Sequence, residues 1–176
     1  MGAAKAGQDD AMHQLLDRHY DRLYAICLRI MGNQHDAADA CQEALLLLVR
    51  KISQFDERAK FSTWSHRVAT NAALDELRRK HRRPVSGSDT IDSILEDSPA
   101  FDRLVAERMT IDDALLHIPE NFRVPVVMRD LVGMDYAEIG ETLGIPAGTV
   151  RSRIARGRAQ LATALGNSDD PNQRQS

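Results

Sequence analysis

Aromatic residues make up only 5% of the 176-residue chain, with four Phe, three Tyr and one Trp, so any core must be mainly aliphatic. Long apolar runs are missing as well. The longest, Ala44 to Val49, has six residues, against the roughly 20 that a membrane helix needs. Direct membrane insertion is therefore not expected. The first ten residues contain Lys5, Asp9 and Asp10 but no apolar stretch of the kind that forms a secretory signal, which makes the cytoplasm the expected compartment. Period-two alternation is also missing, so no strand is predicted.

Cysteine is scarce. Cys27 and Cys41 stand fourteen residues apart in an apolar, helix-like region, with no C-x-x-C and no neighbouring histidines. They read as two small buried side chains rather than a redox pair. The six histidines (His13, His19, His35, His66, His81 and His117) are scattered without metal-ligand spacing, and no phosphate loop or nucleophile motif occurs. An enzyme is not expected, nor is any metal or cofactor.

Charge of one sign is lacking overall, since the net value is −3, but the charge is sorted along the chain. Residues 11–83 hold 13 basic against 9 acidic side chains, whereas residues 84–108 hold 2 against 6. After Gly144, four arginines occur before residue 166 without a single acid. Such asymmetry is a functional signal, because nucleic acid responds to local charge rather than to the average.

The remaining pattern is helical. Leu15, Leu16, Leu23, Ile26, Cys27 and Ile30 recur at three- and four-residue steps. Gly32-Asn33 marks a turn, and the pattern resumes at Ala37, Ala40, Cys41, Ala44, Leu48 and Ile52. Phe61 to about Arg83 reads as a third helix that ends in a basic run and is stopped by Pro84. Residues 84–100 have linker composition, rich in Ser and acids with few apolar side chains. Helix returns over 101–165, with Pro125 predicted to kink it or sit near a start. The expected fold is thus all-α: two small helical domains joined by a flexible acidic linker. Its parts are a disordered N-terminus (1–10), a first domain (11–83), the linker (84–108), a second domain (109–165) and a disordered tail (166–176).

Within the second domain, Tyr136–Leu143, a tight Gly144-Ile145-Pro146 and Ala147–Leu165 form a helix-turn-helix. Ala137, Ile139 and Leu143 are assigned to the inner face of its first helix, and Val150, Ile154, Leu161 and Leu165 to the buried side of its second. The other faces of the second helix carry Thr149, Arg151, Ser152, Arg153, Arg156 and Arg158. Arginine can pair bidentately with guanine in the major groove, and arginines and hydroxyls can hold phosphates. A recognition helix uses its N-terminal residues on base edges, which singles out Thr149, Arg151, Ser152 and Arg156. In the first domain, an exposed loop formed by Phe55 and by Asp56, Glu57, Arg58, Ala59 and Lys60 precedes a basic helix. That arrangement suits a pocket for an unstacked base.

Two blocks carry a family resemblance. Asp36 to Glu43 (DAADACQE) and Phe61 to Arg79 (FSTWSHRVATNAALDELRR) resemble region 2 of extracytoplasmic-function (ECF, group 4) sigma factors. Ile118-Pro119-Glu120, Arg129-Asp130, Gly133 to Ile139 and Pro146 to Arg153 resemble their region 4. Together the blocks span roughly residues 11–165 in the family's order. Ser65 stands where the family usually has Leu, and recognition-helix position Ala155 and loop residues 56–60 vary among its members.

The resemblance implies a dissociable RNA polymerase subunit that recognises −35 and −10 promoter elements and promotes melting. Asp36, Asp39, Gln42 and Glu43 would contact the β′ clamp, and region 4 would dock on the β flap. Residues 55–60 with Arg67, Asn71, Asp75, Arg78 and Arg79 would bind the −10 element. Thr149, Arg151, Ser152, Arg153, Arg156 and Arg158 would bind the −35 element. An anti-sigma factor is the further partner that the resemblance implies. The alternative reading is a dimeric helix-turn-helix regulator that acts without replacing a polymerase subunit.

Overall fold

The computed structural model describes residues 1–82 and 110–167. The expected linker at 84–108 and tail residues 168–176 lie outside the described residues, as does the stop at Pro84. Among the described residues there are eight α-helices and no strand.

Three long helices build the first half: α2 (Asp9–Met31), α3 (Gln34–Lys51) and α4 (Phe61–Arg82). The joint between α2 and α3 follows the punctuation in the sequence. Gly32 adopts the left-handed conformation (φ 82°) that closes α2, and the Asn33 side chain accepts from the Asp36 amide to open α3. The buried faces meet through Leu23, Ile26 and Ile30 of α2, Ala37, Ala40, Ala44 and Leu48 of α3, and Ala69, Ala72 and Ala73 of α4. The alanines let helix backbones approach closely. The large aliphatics supply the driving force, each contributing about 1.5–3 kcal/mol on burial.

Cys27 and Cys41 are both buried and free in this packing. The Cys27 thiol donates to the Ala69 carbonyl at 3.9 Å. Interaction with the neighbouring Cys41, together with burial, pushes the Cys27 pKa up, and the same interaction draws Cys41 down. Ser65 is fully buried in α4, and its hydroxyl donates to the Ser62 carbonyl at 3.1 Å. The polar side chain is thereby satisfied where an apolar one would otherwise pack.

The N-terminus departs from the sequence expectation. Instead of a structureless segment, residues Gly2–Lys5 form a short helix, α1, and α2 already starts at Asp9. Ala4 anchors α1 in the core at 2% exposure. Composition could not reveal this, because the anchor is one alanine among polar and small neighbours.

The second half comprises α5 (Ile111–Leu116), α6 (Glu120–Val126), a π-helical turn (Val127–Leu131), α7 (Tyr136–Leu143) and α8 (Ala147–Asn167). Thr110 and Asp113 form a reciprocal capping box on α5. Pro125 lies inside α6 near its end, where it has no N–H to give the preceding turn. Directly beyond it the register widens, and the Val132 amide reaches back five residues to the Val127 carbonyl.

The two halves share one continuous apolar core. Arg123 of α6 is buried at their junction and donates to the carbonyls of Ile118 and of Ile30 in α2, both at 3.2 Å. A Cβ on Gly32 would lie 2.9 Å from this guanidinium. Gly32 is therefore required by its backbone angle, and any side chain there would also displace the Arg123 guanidinium.

Candidate nucleic-acid interface

The helix-turn-helix is built by α7 and α8. Asp135 and Glu138 cap α7 reciprocally, and Gly144 ends it in the left-handed conformation (φ 68°). Val150, Ile154 and Gly157 bury the inner side of α8, with Leu161 half-buried. Ile139 is fully buried on α7, but Ala137 is exposed and does not belong to the inner face assigned to it. A helix of eight residues has room for a narrow buried stripe only, and Ala137 falls outside it.

The outer side of α8 presents Arg151, Ser152, Ala155 and Arg156 to solvent, with Thr149 half-buried. The Arg151 guanidinium lies over the Tyr136 ring, 5.4 Å from its centroid, and Arg129 lies 5.0 Å from the same centroid. Arg129 also donates to the Met134 carbonyl at 2.8 Å. Tyr136 thus orients two guanidiniums at the mouth of the motif. The Ser152 hydroxyl donates to the Thr149 carbonyl at 2.9 Å.

The two remaining arginines are placed differently. Arg158 makes a bidentate pair with Asp130, with Nε donating at 3.0 Å, and this contact raises the arginine's pKa further. Arg153 is half-buried and lines a cleft against Arg78 and His81 of α4. Arg151 and Arg158 are seven residues apart and share a face, but Arg158 pairs with Asp130 of the π-helical turn, whereas Arg151 lies over Tyr136.

In the first half, Phe55 is 4% exposed, which corrects its assignment to an exposed loop. Its ring packs on Phe61 (5.7 Å between centroids, edge-on) and Trp64 (5.1 Å), and Phe61 also meets His19 at 5.0 Å. The scarce aromatics are gathered here into a floor. Asp56 to Lys60 rise from it exposed to solvent. Asp56 shapes the loop by accepting the Arg58 amide at 3.1 Å on its side chain and the Ala59 amide at 3.2 Å on its carbonyl.

Along α4, Thr63, Arg67, Asn71, Asp75, Arg78 and Arg82 are exposed at helical steps and form one polar stripe leading away from the loop. Two members are already engaged by the second half. Arg67 pairs with Glu138 at 2.6 Å, and Arg78 donates to the Thr142 carbonyl at 2.6 Å. Arg78 also meets Asp75 at 2.9 Å, and Arg79 pairs with Glu76. Burial lowers the pKa of the nearby His66, aided by Arg22 and His19.

A groove of about 570 Å³ runs between α3 and α4. Asp39, Gln42 and Glu43 line one wall, and Asp75 and Arg79 line the other. Two residues of the −10 set therefore sit across from the set assigned to the polymerase. Asp36 is held apart from its set: Asn33 donates to its carboxylate at 2.8 Å and Lys80 at 2.5 Å. Leu46 and Val49, each 45% exposed, continue the α3 face as an apolar patch that the sequence reading missed. The run Ala44–Val49 carried the signal. Six successive apolar residues on a helix cannot all face inward.

Comparison with known proteins follows the same division. A model described as Sigma-70 region 2 matches residues 15–83, and one described as Sigma-70, region 4 matches residues 108–161. The chain is similar to the ECF RNA polymerase sigma factor SigW of Bacillus subtilis, with 34% identity over 174 residues and 92% of each chain covered. It is also 34% identical to SigM of Mycobacterium tuberculosis, over 94% of this chain and 83% of that one. Among solved structures, the sigma factor RpoE of Bartonella quintana, in complex with the anti-sigma factor NepR, superposes with a TM-score of 0.60. That match has 21% identity and covers 88% of this chain and 96% of the other. CnrH, bound to the cytosolic domain of CnrY, gives 0.54 at 22% identity over 96% of each chain. These two likenesses establish a shared fold.

Proposed function

The chain belongs to the ECF sigma factors of the sigma-70 family, and from that premise we propose how its surfaces divide the work of transcription initiation. It is an RNA polymerase sigma factor. In our reading, the α3–α4 groove with Asp39, Gln42 and Glu43, extended by Leu46 and Val49, receives the β′ clamp. Asp36 supports the groove by holding Lys80. The loop Asp56–Lys60 on its aromatic floor takes the flipped −10 base, and Arg67, Asn71 and Arg78 follow the strand along α4. Thr149, Arg151, Ser152 and Arg156 face the −35 duplex, while Arg153 and Arg158 buttress the helix that carries them. Residues 84–108 would lie in the polymerase channel, where an acidic segment is like-charged with transcript and readily displaced.

One observation carries this reading: a region 2 match and a region 4 match occur in order within one chain. A dimeric helix-turn-helix regulator would need no such first half. Each DNA face is small and would bind weakly alone. On polymerase the second contact becomes effectively intramolecular, which multiplies the two. The chain is proposed to work in the cytoplasm without chemistry of its own, and an anti-sigma factor is proposed as its regulator. Run-off transcription with core polymerase, followed by start-site mapping, tests the proposal. Expected are transcripts whose start sites share −35 and −10 sequences and depend on the added protein. Transcript levels that ignore it would overturn the reading.

A further inference from the structure

The loop proposed to receive the −10 base is held from outside its own sequence. Lys5, at the end of α1, donates to the Phe55 carbonyl at 3.0 Å and lies 3.4 Å from the Glu57 carboxylate. Phe55 is where the chain leaves the 3-10 turn Ile52–Gln54 in an extended conformation (φ −63°, ψ 119°), so its carbonyl fixes the direction in which the loop sets off. Glu57 is the second of the loop's two acids and would repel a phosphate if left unpaired. Lys5 therefore acts on both the path and the charge of the loop.

The attachment is built rather than casual. Ala4 is 2% exposed and belongs to the same apolar core as Phe55, Phe61 and Ile52. Backbone bonds from Gly7 to Ala4 and from Gln8 to Ala3 tie α1 to the start of α2. The Lys5 side chain is only 28% exposed, against 59% for Glu57. The partners are 50 and 52 positions apart, which is why no local pattern announces the contact.

We propose that Lys5 is a positioning residue for −10 recognition, setting the shape and charge of the loop Asp56–Lys60 through the Phe55 carbonyl and Glu57. This rests on the reading that the loop receives the flipped base. Lys5 itself touches no DNA in the proposal. It holds the loop in the conformation that discriminates between bases, as a wall of the pocket is held by the residues behind it.

The test uses the full chain with core polymerase and a set of promoters that differ only at the flipped non-template position. The readout is the ratio of initiation rates between the preferred and the next-best base. That ratio is internal to each protein sample, so a smaller folded fraction cancels. Lys5→Met is expected to reduce the ratio about fivefold, as the loss of one such hydrogen bond implies. Lys5→Arg, which keeps charge and donor, is expected to restore most of it. Arg58→Ala, a change in the loop, tests the underlying reading alongside. An altered ratio for Arg58→Ala with an unchanged one for Lys5→Met would overturn the role of Lys5 alone. If neither substitution alters the ratio, the loop reading fails and takes the proposal with it.

Discussion

At Asp36, two opposed effects meet on one carboxylate. Burial disfavours its ionised form, but hydrogen bonds from Lys80 and Asn33 outweigh that, so its pKa lies below the ordinary value of 3.8. A depressed folded value means stability that is present above the unfolded pKa and lost as pH falls through the folded one. Asp36→Asn should therefore cost about 0.5–1 kcal/mol at neutral pH, the size of a partly exposed ion pair and a first-turn charge, a gap that closes as pH drops below the usual carboxylate range. Urea melts of both proteins across that range check this. Part of the cost should vanish in high salt, because the Lys80 side chain is 56% exposed. A difference that stays constant with pH would mean the charge is not what matters. Sequence gave Asp36 the same standing as Asp39, Gln42 and Glu43, since spacing shows which face a residue shares and not whether its charge is already used. Phe55 was misjudged for a related reason. An aromatic beside four charged residues reads as exposed until Phe61 and Trp64 are seen to cover it.

For the elements, the legible features were those marked by local chemistry. Gly32-Asn33, Gly144 and the apolar steps placed α2, α3, α7 and α8 well, and Pro125 announced the irregular turn that follows it. Helix α1 was illegible because tertiary burial of Ala4 holds it, not propensity. The packing of α8 depends on Gly157, where a Cβ would fall 2.7 Å from Val126 Cγ2 and 2.9 Å from the Phe122 carbonyl oxygen. The carbonyl belongs to the α6 backbone and cannot swing aside. Gly157→Ala is expected to destabilise the C-terminal helices by about 1–3 kcal/mol, the usual cost of overpacking, as a lower melting temperature would report.

The outer face of α8 makes a separate prediction, read on −35 duplex by holoenzyme. Arg151→Ala and Arg156→Ala should each weaken binding and lower the salt slope by about one if the side chain neutralises a phosphate. Arg158→Ala should leave the slope nearly unchanged, because Asp130 already neutralises that guanidinium. Equal effects from all three would show that Arg158 leaves Asp130 on DNA.

Across the whole molecule, the charge sorting visible in the sequence acquires an internal use. Arg67 and Arg78, on the stripe proposed for −10 DNA, are tied to Glu138 and the Thr142 carbonyl of α7. Arg29 meets Asp112 at 2.6 Å, and Arg123 reaches the end of α2. The partners in these last two contacts are 83 and 93 positions apart, beyond any local pattern. With the two halves closed in this way, Arg67 and Arg78 of the proposed −10 stripe are already engaged by α7, while the loop Asp56–Lys60 and the outer face of α8 stay exposed. The free protein should therefore bind promoters weakly, and polymerase is expected to separate the halves. Arg123 is the point at which to test this, since burial lowers its pKa and its Nε has no hydrogen-bond partner, so two carbonyl bonds and the charge of Glu120 are what offset its desolvation. Arg123→Met keeps the apolar stem and removes both bonds. With donor and acceptor dyes at the exposed positions Gln14 and Gln160, the wild-type chain should give one high-transfer population that falls when core polymerase is added. Arg123→Met should show part of that fall without polymerase, together with tighter binding of the free chain to promoter DNA. Unchanged transfer in the variant would mean that Arg123 does not hold the halves together, and tight promoter binding by the wild-type chain alone would contradict closure itself.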